Sequence, residues 1–224
     1  CSTKKENTAP SNSSDIRLYQ DGLNLLEKGK YTDAIIEFDS LFLNYPFSPF
    51  ANKADIMLAY SLYQNNEINK AIQKLQSFIE FNPKGELSAY AHYLLAMCYY
   101  IQISSEGRDS SLTKKALNHF KKIVTKYPNT KYAKDSEYKI KFIKNSLARN
   151  ELKIAVFYLK NNSPASSIKR LRSIIKSYQN TSVIPETLYR LSEALFMIGL
   201  QEEAKKSNAI LSYNFPNNKW TKLS

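Results

Sequence analysis

The sequence predicts an all-α protein: a right-handed α-α superhelix of about five tetratricopeptide-like repeats, with ten to eleven helices. Three observations predict it. From Asp15 onward the apolar residues recur at the 3.6-residue spacing of amphipathic helices, broken at intervals. The breaks recur in a common pattern, so the chain reads as a repeat array. Only 5 Gly and 8 Pro occur among 224 residues, too few turn formers for an all-β sandwich or an extended low-complexity chain. No apolar run reaches 18 residues, so the sequence predicts no transmembrane helix.

Residues 1–14 form the first element, a polar, unpatterned segment that cannot bury a core. It opens on Cys1 and continues Ser2-Thr3-Lys4-Lys5-Glu6. A Cys followed by a flexible polar tether looks like the start of a mature bacterial lipoprotein, cut from its signal peptide just before that residue. The expected modification is a diacylglycerol on the Cys1 thiol and an N-acyl chain on its amine, each buried methylene contributing about 0.8 kcal/mol of anchoring. Ser2, rather than Asp, favours the outer membrane. Apart from this lipid no cofactor is expected.

The first repeat places a small residue, Gly22, on helix A. A Gly29-x-Tyr31 turn follows, then Ala34 at the helix crossing and Phe38 between repeats, and Pro46 stops helix B. The register returns with Ala59, Ala71, Leu75, Phe78 and Pro83, and again with Ala96, Ala116, Phe120 and Pro128. The third copy carries an insertion near 104–111, which reads as a loop. An additional helix is expected from about Lys131 to Arg149. The fourth copy is degenerate, with Ala155, Ser167, Leu171 and Ile174, and Gln179 where Pro is expected. The fifth uses Gly199, Ala204, Leu211 and Pro216. The terminators fall 37, 45, 51 and 37 residues apart, so the array is irregular. The division expected is a tether (1–14), repeats 1 to 3 (15–128) and repeats 4 and 5 (129–224).

Nothing in the sequence suggests catalysis. His92 and His119 lie on different predicted helices, outside any metal-ligand spacing. No phosphate loop, nucleophile elbow or HExxH occurs. Cys98 sits in an apolar helix and reads as a packed thiol. Function is therefore sought on surfaces.

Two surfaces stand out. Counting along each helix A from its small residue selects Tyr19 and Leu23, then Ile56, Tyr60 and Tyr63, then Tyr90, Tyr93, Met97 and Tyr100. Six tyrosines in one trough suit an extended aromatic peptide, although about half of the set is expected to pack between helices. The second surface is basic. Residues 1–112 carry 10 Lys and Arg against 13 Asp and Glu, whereas residues 113–224 carry 22 against 7. The second half should therefore prefer an acidic partner. On the helix from Pro164, Lys169, Arg172 and Lys176 form one outer stripe, with Arg170 on the opposite flank of the apolar face. No nucleic-acid module is visible.

These residues carry a resemblance. Cys1 and its tether, Tyr45-Pro46-Phe47-Ser48-Pro49-Phe50-Ala51 after the first repeat, Tyr127-Pro128-Asn129-Thr130-Lys131-Tyr132-Ala133 after the third, Phe142-Ile143-Lys144-Asn145-Ser146 and Ala155-Val156-Phe157-Tyr158 resemble the BamD (ComL) family. These are lipoproteins of the outer-membrane β-barrel assembly (BAM) machinery. The resemblance covers 15–215. It implies a non-catalytic scaffold, lipid-anchored at the periplasmic face of the outer membrane, that assists β-barrel insertion. The implied partners are unfolded outer-membrane proteins at the N-terminal groove, a POTRA domain of BamA at the C-terminal repeats, and other BAM lipoproteins. An Arg implied to matter for BamA docking falls on Arg170. Gln179 and the tail Asn217-Asn218-Lys219-Trp220 depart from the family pattern. The rival readings are a repeat lipoprotein coordinating cell division, of the Tol–Pal type, and a basic face that meets lipid A phosphates.

Overall fold

The computed structural model describes residues 14–85, 87–103 and 110–223. Cys1, the polar tether before Ser14 and most of the 104–111 insertion lie outside the described residues. The described residues fall into two compact units: one comprises 14–85, 87–103 and 111–136, the other 137–223.

The first unit contains α1 (Ser14–Glu27), α2 (Tyr31–Asn44), α3 (Ala51–Gln64), α4 (Ile68–Phe81), α5 (Ser88–Tyr100) and α6 (Ser110–Lys126). Consecutive helices from α1 to α5 pack on one another, and α3 also meets α5. Ala34, Phe38, Leu41, Ala59, Ala71, Leu75 and Phe78 are buried, as the repeat register requires. The second unit holds most of α7 (Lys131–Lys160), then α8 (Pro164–Ser177), α9 (Ile184–Met197) and α10 (Gln201–Asn214). Its core joins Leu152, Ala155, Leu171, Ile174, Leu188, Leu195 and Leu211.

Two kinds of turn make the repeat. Between helices A and B the chain passes through the left-handed region at Gly29 (φ 70°), Asn66 (φ 62°), Asn162 (φ 54°) and Gly199 (φ 81°). At each, the next amide reaches back to close the last helical turn: Lys30 N–H to Leu25 O, Glu67 to Leu62, Ser163 to Tyr158 and Leu200 to Leu195, at 2.9–3.0 Å. Gly and Asn occupy the position because they tolerate positive φ with little strain. After helix B the capping residues Tyr45, Asn82, Tyr178 and Phe215 all leave helical geometry, each donating its N–H to the residue four earlier. Tyr178 does so before Gln179, so this turn forms without the terminating Pro.

One sequence expectation needs correction. The additional helix does not stop near Arg149; it runs into the first helix of the fourth repeat as one 30-residue helix. No Gly or Pro lies between 131 and 160 to end it. The tail takes up a turn already used earlier in the chain. Asn218 N–H bonds Phe215 O (3.0 Å) and Thr221 N–H bonds Asn218 O (3.2 Å), as Thr130 bonds Tyr127 (3.2 Å) and Ala133 bonds Thr130 (3.1 Å). It repeats the turn that starts α7. Trp220 then packs on Tyr189, ring centroids 5.2 Å apart, in the register where Tyr132 packs on Tyr93 at 5.2 Å.

Candidate functional site

In the first unit, the aromatic residues selected from the sequence divide into two groups. Tyr19 stacks on Phe50 (5.2 Å) and meets the edge of Phe38 (6.0 Å). It cements α1 to α2 and to the residue before α3. Ile56 is fully buried and lines no open face, a correction to the predicted trough. Leu23, Tyr60, Tyr63, Tyr90, Tyr93, Met97 and Tyr100 are half-buried.

Tyr90 and Tyr93 meet Tyr132 at 5.3 and 5.2 Å, while Tyr93 and Tyr100 meet Phe120 edge-on at 6.3 and 6.1 Å. The Tyr93 hydroxyl donates to Asp135 Oδ2 at 2.7 Å. The Tyr60 hydroxyl accepts from Gln64 Nε2 at 2.6 Å. Burial raises the Tyr90 pKa, and the neighbouring phenols of Tyr60, Tyr132, Tyr93 and Tyr63 add to the effect. Burial also raises that of Tyr93, with the Asp135 carboxylate reinforcing it. These phenols stay protonated and present neutral donors and apolar edges. Tyr132 and Asp135, near the start of α7, complete the cluster. The sequence signal for them was Tyr127-Pro128-Asn129-Thr130-Lys131-Tyr132, which starts that helix.

The same unit brings together two residues the sequence kept apart. His92 Nδ1 lies 3.2 Å from His119 Nδ1, with Tyr99 stacked on His119 at 5.9 Å. Burial is the main cause pushing both imidazoles down to about 4, helped by Lys122. The pair is therefore neutral at pH 7. One ring donates an Nδ1–H and the other accepts, which requires opposite tautomers. Burial pushes the Cys98 thiol up to about 12, so it is not a nucleophile at neutral pH. No cluster of three or more His, Cys, Asp or Glu able to hold a metal occurs among the described residues.

In the second unit, α7 and α8 flank an open cavity of about 380 Å³, lined by Glu151, Tyr158, Ser166, Lys169, Arg170 and Ser173. Arg170 Nη1 donates to Glu151 Oε2 at 2.9 Å, and its guanidinium lies 5.4 Å from the centre of the Tyr158 ring. A carboxylate and an aromatic face thus hold the planar fork in place. A guanidinium has five N–H donors. The Glu151 bond engages one of them, so the fork has donors to offer a second carboxylate.

The structure redistributes the predicted basic stripe. Lys169 lines the cavity with Arg170 instead of lying on the opposite flank. Arg172 pairs with Glu203 of α10. Lys176 lines a separate hollow of about 200 Å³ with Lys144 and residues 177–181. Neither Lys169 nor Lys176 has an acid within ion-pair distance among the described residues. Sequence reasoning missed Glu151, Tyr158 and Glu203, because long-range pairing leaves no periodic signal.

These features define a helical-repeat protein of tetratricopeptide type that presents an aromatic face and a basic cavity. The chain matches, over residues 11–210, the family described as outer membrane lipoprotein (YfiO), and it belongs to that family. It is 40% identical over 225 aligned residues to the outer membrane protein assembly factor BamD of Rickettsia prowazekii, covering 98% of this chain and 87% of the relative. To the BamD of Caulobacter vibrioides it is 38% identical over 203 residues, covering 91% and 67%. Among solved structures, the TPR2AB domain of yeast Sti1, in its pHSP90 complex, matches with a TM-score of 0.51 at 13% identity, over 94% of this chain and 81% of that one. That likeness concerns the fold alone.

Proposed function

We propose that this chain is a non-catalytic scaffold of outer-membrane protein assembly, associated with the outer membrane. The observation that carries the role is the 40% identity, across nearly the whole chain, to a relative named as a BamD assembly factor. The family's description as an outer membrane lipoprotein supports a lipid on Cys1. In this reading the cavity around Arg170 docks an acidic residue of a BamA POTRA domain. The half-buried tyrosines of the first unit meet unfolded outer-membrane proteins, and other lipoproteins of the machinery are further partners. The cavity geometry supports the docking role, since Glu151 and Tyr158 hold the guanidinium before any partner arrives. Preorganisation lowers the entropy cost of forming a bidentate carboxylate pair.

The test is calorimetric titration of the chain with the isolated POTRA region of BamA. Arg170→Glu should weaken binding about 100-fold, because it reverses the charge facing the partner's acid. Arg170→Lys keeps the charge but loses the fork and should weaken binding about tenfold. Folding should survive both, since an exposed ion pair contributes at most about 1 kcal/mol. Unchanged affinity in both variants would remove the docking site.

A further inference from the structure

The second unit holds another groove, away from the Arg170 cavity. It lies where the last part of α7 meets α9, has a volume of about 470 Å³, and is floored by Leu152, Val156 and Phe157. Phe157 is 63% exposed, a large aromatic ring offered to solvent. Arg149, Lys153 and Lys160 stand along the rim. None of the three has an acidic partner within ion-pair distance among the described residues. The one acid of the groove, Glu186, faces the guanidinium of Arg190, with Arg190 Nε 3.8 Å from Glu186 Oε1. A second hollow of about 460 Å³ shares Arg149, Leu152 and Glu186 and extends the groove to Asn218 and Trp220.

We infer that this groove binds an extended peptide of a partner protein that carries acidic residues on either side of a large apolar side chain. Length, charge and floor agree. From Arg149 to Lys160 the helix rises about 16 Å, the span of about five extended residues. Three cations without acidic partners, about 6 and 10 Å apart along the helix, complement acids two to three positions apart in an extended peptide, and an apolar floor with an exposed ring takes the side chain between them. A recessed channel with charges on its rim suits a peptide better than a membrane surface. A bilayer meets projecting cations and could not reach Leu152, which is only 5% exposed.

The experiment is fluorescence anisotropy on the full chain with labelled five-residue peptides. Glu-Phe-Glu-Leu-Glu should bind about tenfold more tightly than Gln-Phe-Gln-Leu-Gln, with the difference shrinking as salt rises. Lys153→Glu and, separately, Phe157→Ser should each lower the affinity for the acidic peptide about tenfold. Both positions are exposed, and retained far-UV circular dichroism checks folding; Lys160→Glu serves if either variant fails it. Lys205→Glu on α10, an equal change of charge outside the groove, should leave the affinity unchanged. Equal binding of the acidic and neutral peptides would overturn the proposal, as would an equal loss in Lys205→Glu. So would binding to phosphatidylglycerol vesicles that Lys153→Glu abolishes while the acidic peptide fails to bind.

Discussion

Gly22 shows how one residue sets the spacing of a repeat. A Cβ there would fall 2.7 Å from Phe38 Cε1 and 2.8 Å from Cζ. Phe38 has no exposed surface. Gly22→Ala should gain about 1 kcal/mol of helix propensity and lose about 2–3 kcal/mol to overpacking. A net loss of about 1–2 kcal/mol should appear in urea denaturation; a gain in stability would mean that α1 can move away from α2. The histidine pair makes a second residue-scale prediction. Both imidazoles titrate near 4 in the folded protein, below the ordinary value near 6.5, so the unfolded chain binds more protons between these pH values. The stability contributed by the neutral pair is whole above about pH 6.5 and is lost as pH falls toward 4. The urea midpoint should drop across that window, and His119→Gln should flatten the drop. A midpoint that does not change between pH 6.5 and 4 would contradict the neutral pair. The small residues and Phe38 were readable from the sequence because the repeat dictates them. The pairing of His92 with His119 was not, since it joins the two helices of the third repeat across its long insertion.

At the scale of elements, the helix pairs were legible because each repeat states its own register and stop. The fusion of two predicted helices into α7 was not. Arg149-Asn150-Glu151 carries neither strong helix formers throughout nor a breaker, and packing of Ala148, Leu152 and Ala155 decides the outcome. If α7 is continuous, Asn150→Pro removes an internal hydrogen bond and clashes with the turn before it, costing about 3 kcal/mol or more. If a new helix began there, Pro would be tolerated in its first turn. Thermal melts followed by circular dichroism separate the two: a large fall in midpoint is expected, and an unchanged one would contradict the continuous helix. The Gln179 turn teaches the converse. Tyr178 adopts the same cap as Tyr45 and Phe215, so the terminating Pro reinforces a geometry the surrounding packing already imposes.

For the whole molecule, the uneven charge of the two sequence halves foretold a basic second half, but not which of its cations are available. Arg172 is engaged by Glu203, whereas Lys169, Arg149, Lys153 and Lys160 have no acid within ion-pair distance among the described residues. Long-range ion pairs of this kind carry no sequence period, so only the fold sorts engaged from available charge. The aromatic face was legible as a set of tyrosines, and its third wall, from Tyr132 and Asp135, came from a turn that the sequence presented only as a motif. Assembly of outer-membrane proteins through an Arg170 contact, as proposed above, makes one demand on the whole molecule: the partner must be lost when Arg170 is reversed. The most direct measurement is capture from detergent-solubilised outer membranes, using the chain and its Arg170→Glu variant as baits and probing for BamA. Capture by the first and its loss in the second are expected. Equal capture by both would contradict the docking site, and capture by neither would contradict the assembly role itself.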